Sequence, residues 1–267
     1  MDTNKKPVIG ISLSGGGARG IAHIGVLQAL AEAEIEIDIV AGASAGSIVG
    51  AMYAAGLSPQ QMLAAIKESN FLKLVKFGLP NMGITKLDYL SERLTGVIPN
   101  DSFASLKKPL YVAITNANTG KLEIVSDGPL YQVLMASCCI PLLFQPIEIA
   151  GQLYIDGGIL SNLPVTPIRD KADFVIGVNV VPQQIIPSDE LTGFFTLSFR
   201  VFDLGILSNS RPESARCDHL IEPARLGEYG VMQFHKYEEI YQLGYDTARA
   251  QIRRIQAAID RKAEVML

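Results

Sequence analysis

The pentapeptide Gly-Ala-Ser-Ala-Gly at residues 42–46 is the stretch that most constrains how this chain can fold. The run before it, Ile35–Ala41, alternates and then becomes apolar, which predicts a strand entering a core. The small-residue run after it, Ser47–Ala55, predicts a helix. At so tight a turn, where Gly42 and Gly46 remove obstructing side chains, a serine hydroxyl projects from the backbone towards a substrate carbonyl. The alternative is a small-residue turn that only packs a helix close to a sheet.

The composition limits the class of protein. Of the 267 residues 48% are apolar, which is enough for a sizeable core, and the formal net charge of −4 gives no electrostatic case for nucleic-acid binding. The sequence has no run of about 18 uncharged apolar residues that would predict a membrane span. The stretch Val8–Leu13 is too short for a signal peptide, and three cysteines do not form a disulfide framework. We therefore expect one domain over residues 1–267, located in the cytoplasm.

A second glycine-rich stretch follows the apolar run Val8–Leu13 and precedes an amphipathic helix. A strand, a glycine loop and a helix N-terminus together form an anion-binding arrangement. One interpretation is a dinucleotide site, because Gly15, Gly17 and Gly20 satisfy its fingerprint. That site requires an acid at the end of the second strand, where this sequence has apolar and glycine residues instead. The other interpretation is that the loop amides stabilise a tetrahedral oxyanion at Ser44.

The base that would activate the serine has two candidates, since a serine hydroxyl is a poor nucleophile on its own. A triad with the chain order of α/β-hydrolases would use one of the late histidines, His219 or His235. Asp156 is the other candidate, because it ends a strand of a predicted hairpin and is followed by Gly157 and Gly158. An Asp-Gly pair is also a common turn, which is the structural alternative. An aspartate acts as a base near neutral pH only when it is partly desolvated.

Three motifs in this order resemble the patatin-like phospholipase family, most closely its small single-domain bacterial members: Gly15–Gly20, Gly42–Gly46 and Asp156–Gly158. The resemblance covers about residues 8–180. It implies a three-layer α/β/α sandwich with a mostly parallel central sheet. It also implies that Ser44 is the nucleophile and Asp156 its partner in a dyad without histidine. The implied oxyanion hole and its supporting residues are Gly15, Gly16 and Gly17, then Arg19, Gly42, Gly46, Gly157 and Gly158.

The resemblance further implies a lipid acyl hydrolase of the phospholipase, lysophospholipase or esterase type, with no metal and no organic cofactor. Lipids or acyl esters are the implied substrates, and peripheral membrane contact accompanies a membrane-borne lipid. Two alternatives remain open at this point. One is a catalytically idle regulatory or interaction module of the same fold, and the other is a nucleotide-binding enzyme that uses Gly15, Gly17 and Gly20.

Three further stretches bear on the site. Phe71–Pro80 is apolar with interspersed lysines, which predicts either core or a surface that contacts lipid or lines an acyl pocket. Leu191–Leu207 predicts an aromatic-rich helix that belongs to the core rather than to a membrane-binding face. We expect the adjacent Cys138 and Cys139 to be buried small hydrophobes rather than a redox pair.

Overall fold

The computed structural model describes residues 6–68 and 88–266. Eight short strands of this part of the chain form one sheet. They are β1 (Ile9–Leu13), β2 (Ile39–Ala43), β3 (Leu110–Asn116), β4 (Lys121–Val125), β5 (Ile147–Ile149), β6 (Gln152–Asp156), β7 (Phe174–Val178) and β8 (His219–Ile221).

The middle of the sheet is parallel. β1 lies between β2 and β7, and these two strands pair in parallel with β3 and β8 respectively. Every residue of β1 and β7 is buried, as expected for short runs of branched apolar residues in a sheet that is covered on both faces. Because these strands run in one direction, the carboxyl ends of β1 and β2 meet at one edge, where both glycine motifs begin.

Beyond β2 the sheet becomes antiparallel and brings two distant strands end to end. β3 pairs antiparallel with β4 along one of its sides. Along its other side β3 has two partners in succession. It pairs with β2 as far as Ala113, which lies opposite Ala43. It then pairs with β6, beginning at Ile114, which lies opposite Asp156. β2 and β6 therefore approach each other from opposite directions. This arrangement places Ser44, the residue after β2, beside the last residue of β6.

Helices cover both faces of the sheet. On one face, apolar residues of the sheet such as Ile11 share a core with helical residues such as Ile240. On the other face, Ala41 and Val175 are buried against Ile168. The predicted three-layer α/β/α sandwich with a mostly parallel central sheet is confirmed. The helices are α1 (Ala22–Glu32), α2 (Ala45–Ala54), α3 (Pro59–Glu68), α4 (Asp88–Val97), α5 (Leu130–Ser137), α6 (Gly158–Ser161), α7 (Thr166–Arg169), α8 (Phe194–Ser214), α9 (Tyr237–Arg249) and α10 (Ile252–Met266).

The aromatic-rich helix predicted over Leu191–Leu207 is α8, and the prediction that it belongs to the core is wrong for one of its faces. Phe194 and Val201 are 74% and 62% exposed, and Leu197 and Leu204 are exposed as well. Ile206, on the opposite side, is buried. Apolar residues recur on two sides of this helix and only one side packs on the protein, which the composition of the segment does not reveal.

Two other stretches complete the comparison with the sequence. The C-terminal part of the chain forms two helices, α9 and α10, with a break near Ala250 and Gln251. Phe71–Pro80 lies outside the described residues. Within the described ranges, none of the helices has the length and apolar character needed to cross a bilayer.

Candidate active site

Ser44 lies at the turn between β2 and α2, as the pentapeptide predicts. Its φ of 49° belongs to a sparsely populated region, which costs about 1–3 kcal/mol for a residue that carries a side chain. A Cβ on Gly42 would lie 2.6 Å from the carbonyl oxygen of Gly46, and a Cβ on Gly46 would collide with the carbonyl oxygen of Leu13. These two glycines therefore permit the close approach of strand and helix that holds the serine in this conformation.

The turn is also held from the side of β3. The Ser44 backbone N–H donates to Oγ of Ser137 at 2.8 Å, and this hydroxyl donates in turn to the carbonyl oxygen of Ala113 at 2.8 Å. The hydroxyl of Ser47 donates to the Ser44 carbonyl oxygen at 2.7 Å. With both of its backbone polar groups engaged, Ser44 keeps its side chain free for other partners.

The side chain of Ser44 meets that of Asp156. Oγ of Ser44 donates to Oδ2 of Asp156 at 2.7 Å, and the backbone N–H of Gly158 donates to the other carboxylate oxygen, Oδ1, at 2.7 Å. Both side chains are buried, with Ser44 6% and Asp156 2% exposed. A Cβ on Gly157 would collide with the backbone of Ala113, so the strand end can approach β3 closely only with glycine there. The packing of the strand end and the hydrogen bond from Gly158 therefore hold the carboxylate in this position.

The surroundings of Asp156 change its acid strength. Burial raises the pKa of this carboxyl from 3.8 to about 7, although the hydrogen bonds from Ser44 and Gly158 favour the charged form and act in the opposite direction. A carboxylate with such a pKa is a much stronger base than a solvated aspartate. Its conjugate acid can also release the proton again near neutral pH.

The glycine loop after β1 runs beside this pair, and the carbonyl groups of Gly15 and Gly16 both accept hydrogen bonds. Oγ of Ser14 donates to the Gly15 carbonyl oxygen at 3.0 Å, and Nε of Arg19 donates to the Gly16 carbonyl oxygen at 3.3 Å. In a trans peptide the carbonyl and the following N–H point in opposite directions. The N–H groups of Gly16 and Gly17 are thereby oriented away from these contacts, and no hydrogen bond within residues 6–68 and 88–266 uses them.

The amide of Gly15 differs from those of the next two glycines. The N–H of Gly15 already donates to the carbonyl oxygen of Asn162 at 3.1 Å, so this amide joins the loop to the segment after Asp156. The amides of Gly16 and Gly17, by contrast, have no hydrogen-bond partner in the described part of the chain. Sequence reasoning could not separate the three glycines because their roles depend on a partner about 150 residues away.

Two buried basic residues support the loop. Nε2 of His23 lies 2.8 Å from the Ser14 carbonyl oxygen, and burial lowers the pKa of this imidazole to about 4. The ring is therefore neutral near pH 7 and donates through Nε2–H. Arg19 is 5% exposed; burial lowers the pKa of its guanidinium, while the charge of Asp203 on α8 opposes this. Arg19 was singled out as a support for this loop, whereas no role in it was predicted for Ser14 or His23.

The histidines do not form a triad with Ser44. His219 lies on β8, which is three strands away from β2, and its Nε2 is 2.8 Å from Oε1 of Gln251. His235 is exposed, and His23 contacts the loop backbone. The described residues include all three histidines of the chain, and none of the hydrogen bonds of Ser44 or Asp156 involves one.

An apolar cavity of about 100 Å³ opens beside Ser44 and Gly17. Ile140, Phe144 and Met232 lie in its wall, so the cavity combines Ser44, a glycine of the loop and an apolar lining. A larger hollow of about 540 Å³ lies elsewhere and includes Tyr111 and Glu213, but neither Ser44 nor Asp156. The wall residues after position 139 were missed because no motif marks them. The rest of the lining is Gly20, Ile21, Ala45, Ile48, Val49, Ile66, Leu90, Cys138, Val231 and Phe234.

The contacts of the glycine loop also separate its two interpretations. Gly17 and Gly20 line the cavity that holds Ser44, and a Cβ on Gly20 would lie 2.6 Å from Cβ of Ala45. The loop thus packs against the serine turn instead of facing a separate nucleotide site. In the part of the chain that the structure describes, no group of three or more His, Cys, Asp or Glu side chains has an arrangement that could hold a metal ion.

The adjacent cysteines differ from each other. Cys139 is buried, its thiol donates to the Gln145 carbonyl oxygen, and burial raises its pKa to about 12. This agrees with the prediction of a buried small residue. Cys138 is half-buried and contributes to the cavity beside Ser44.

Solved structures with this arrangement identify the class of fold. VipD from Legionella pneumophila aligns with a TM-score of 0.55 at 16% identity, over 94% of this chain and 67% of that one. A human GIVD cytosolic phospholipase A2, solved with methyl gamma-linolenyl fluorophosphonate, aligns with a TM-score of 0.53 at 13% identity, over 97% of this chain and 59% of that one. The chain therefore has the mixed-sheet, helix-flanked fold of patatin-like domains.

Sequence comparison defines the family. Residues 11–168 match the model of the Patatin-like phospholipase family, and the chain belongs to this family. Lysophospholipase NTE1 of Coccidioides immitis is 31% identical over 89% of this chain, which spans 17% of that protein. An uncharacterized NTE family protein of Mycobacterium tuberculosis is 33% identical over 66% of this chain and 50% of that protein. The chain thus spans less than a fifth of the fungal relative's length.

Proposed function

We propose that this chain is a serine lipid acyl hydrolase in which Ser44 is the nucleophile and Asp156 the base. The observation that carries the proposal is the hydrogen bond of 2.7 Å from Oγ of Ser44 to Oδ2 of Asp156, made at a strained turn beside an apolar cavity. A hydroxyl in contact with a desolvated carboxylate has both the geometry and the driving force for proton transfer.

In the acylation step, Oγ of Ser44 attacks the carbonyl carbon of the ester while its proton passes to Asp156. The N–H groups of Gly16 and Gly17 receive the oxyanion, helped by the positive end of α2, which begins at Ala45. Each such donor contributes about 10²–10³ in turnover. The proton on Asp156 then passes to the leaving alkoxide, so that an alcohol departs and an acyl group remains on Ser44.

The lining of the cavity supports the proposed substrate class. Its wall is almost entirely apolar on the side away from Ser44, which suits the acyl chain of a phospholipid, a lysophospholipid or a simple acyl ester. The fungal relatives are named lysophospholipases, and we extend that substrate class to this chain. The proposed chemistry uses no metal and no organic cofactor, and catalysis on a membrane-borne lipid requires peripheral contact with the membrane.

Labelling with a fluorophosphonate tests the proposal, because such a probe forms a covalent bond only with an activated serine. We expect one equivalent of label on the wild-type chain and none on Ser44→Ala. Hydrolysis of p-nitrophenyl esters and phospholipids of graded chain length, with Ser44→Ala as the blank, then measures the substrate preference. A folded wild-type chain that takes no label and hydrolyses none of these esters would instead be an idle module with the family fold.

A further inference from the structure

Asn162 is a buried polar side chain beside the candidate dyad that has no partner. It is 1% exposed, and neither Oδ1 nor Nδ2 of its amide has a hydrogen-bond partner in residues 6–68 and 88–266. Its backbone is fully engaged, since its N–H donates to Oδ1 of Asn209 at 2.9 Å and its carbonyl accepts from Gly15 at 3.1 Å. Burying an amide without partners costs free energy, so such a group usually has a bound molecule to satisfy it.

The surroundings of the amide show where such a molecule would bind. The position that a Cβ on Gly158 would occupy is 2.7 Å from Oδ1 of Asn162 and 2.9 Å from Oδ1 of Asp156. The position that a Cβ on Gly15 would occupy is 2.5 Å from Oδ1 of Asn162 and 3.0 Å from Cβ of Ser44. Two glycines thus keep side chains out of the space between the amide and the dyad. Because both oxygens lie within 2.9 Å of one point, they are less than about 6 Å apart, and one water molecule can hydrogen-bond to both.

We infer that the Asn162 amide binds the water molecule that hydrolyses the acyl-enzyme. The inference rests on the proposed function and adds to it a residue outside the Ser44–Asp156 pair and the glycine loop. A primary amide offers two N–H donors and one acceptor oxygen, so either orientation of the group can hold a water between itself and Oδ1 of Asp156. A water held there faces the base on one side and the acyl group on Ser44 on the other.

The deacylation step balances without any further reactant. The water oxygen attacks the carbonyl carbon of the acyl group on Ser44, and one water proton passes to Asp156. The tetrahedral intermediate collapses with cleavage of the bond between that carbon and Oγ of Ser44. Oγ takes the proton back from Asp156, which leaves a carboxylic acid product and the free enzyme. Acylation needs no water, so Asn162 acts in the second half of the reaction only.

The variant Asn162→Leu separates the two halves, because leucine has a similar volume and removes both polar atoms. With p-nitrophenyl butanoate we expect a burst of about one p-nitrophenolate per Ser44, followed by a steady rate at least about tenfold below that of the wild type. The rate of fluorophosphonate labelling, which reports the attack by Ser44 alone, should stay within about threefold. A steady rate and a labelling rate that fall together, or that both stay unchanged, would overturn the inference.

A second variant reaches the same space from the other side. Gly158→Ala places a methyl group 2.7 Å from Oδ1 of Asn162 and 2.9 Å from Oδ1 of Asp156, so it should slow the burst and the steady phase together, unlike Asn162→Leu. Asn116→Ala is the matched control, since Asn116 is also buried but its amide already bonds to Glu123 and Gln152. This control should lower the melting temperature without changing the ratio of burst to steady rate.

Different outcomes would contradict the proposed function and the role of Asn162. A wild-type chain that takes no fluorophosphonate label would remove the proposed function together with the inference that depends on it. A wild-type chain that is labelled, combined with an Asn162→Leu variant that shows no burst, would remove the role of Asn162 alone.

Discussion

Asp156 and His23 are both buried titratable side chains near the carboxyl ends of the central strands, yet their environments suit them to different tasks. Burial favours the neutral form of each, so it raises the pKa of the Asp156 carboxyl to about 7 and lowers the pKa of the His23 imidazole to about 4. The carboxylate accepts a hydrogen bond from a serine hydroxyl, whereas the imidazole is 2.8 Å from a backbone carbonyl oxygen.

The difference shows why the residue type alone is a poor guide to a catalytic base. A histidine has an ordinary pKa near neutrality, but burial moves that of His23 out of the useful range and leaves it as a fixed hydrogen-bond donor. The same physical effect moves an aspartate into this range. Proton transfer therefore falls to the carboxylate in our proposal, and the imidazole holds the shape of the glycine loop.

The largest expected effect tests the assignment of the base. Asp156→Asn keeps the size of the side chain but removes its basicity, so kcat/KM for an ester should fall by about 10³-fold or more. His219→Ala and His235→Ala serve as controls and should each keep kcat/KM within about threefold of the wild type. A large loss in either histidine variant would indicate a triad and contradict the assignment of Asp156 as the base.

The stability of the protein should carry opposite signatures of the two buried groups. The unfolded chain loses the Asp156 proton near pH 4 and the folded chain near pH 7, so this residue lowers the free energy of unfolding by about 4 kcal/mol as the pH rises through that window. The folded chain binds the His23 proton only near pH 4, whereas the unfolded chain binds it below 6.5. His23 therefore raises the free energy of unfolding by about 3 kcal/mol as the pH rises.

Because these contributions oppose each other in the wild type, single variants should reveal them. Relative to the wild type, the free energy of unfolding of Asp156→Asn should increase from pH 4.5 to pH 7, and that of His23→Gln should decrease. Denaturation in urea at several pH values measures both slopes. Curves for the two variants that run parallel to that of the wild type would mean that neither group is held neutral by burial.

Much of the fold and part of the site could be predicted because the signals are local. A short apolar run predicted the buried strand β1, and small residues predicted the tight turn at Ser44. The resemblance of three motifs supplied the residues that the fold brings together, although their roles remain a proposal. These features depend on residues within a few positions of each other, where sequence patterns are informative.

The features that were missed depend on contacts between distant segments. The meeting of β2 and β6 is set by the register of both strands on β3, and the partners of Gly15 and of the Ser14 carbonyl follow from that packing. The part of the cavity wall that begins at Val231 in the sequence carries no recognisable motif. The exposed face of α8 was missed for another reason: its apolar residues occur on two sides of the helix, and only tertiary structure decides which side is buried.

The smallest expected effect concerns Ser14, whose carbonyl oxygen lies 2.8 Å from Nε2 of His23 and whose hydroxyl donates to the Gly15 carbonyl at 3.0 Å. Ser14→Ala removes the hydroxyl that holds the Gly15 carbonyl. The N–H of Gly16, which belongs to the same peptide group, then loses its fixed direction. We expect kcat to fall about tenfold, with KM and the pH midpoint of activity unchanged because Asp156 keeps its hydrogen bonds. Steady-state kinetics between pH 5 and 9 measure all three quantities.

Ser12→Ala is the matched control for this prediction. Ser12 is also fully buried and lies two residues earlier in β1, but its hydroxyl has no hydrogen-bond partner in the described ranges, so its removal should leave kcat within about twofold. Equal losses in Ser12→Ala and Ser14→Ala would indicate a general effect of altering β1. A shift of the pH midpoint in Ser14→Ala would instead mean that the glycine loop and Asp156 are energetically coupled. His23 and Asp156 would then not act independently of each other.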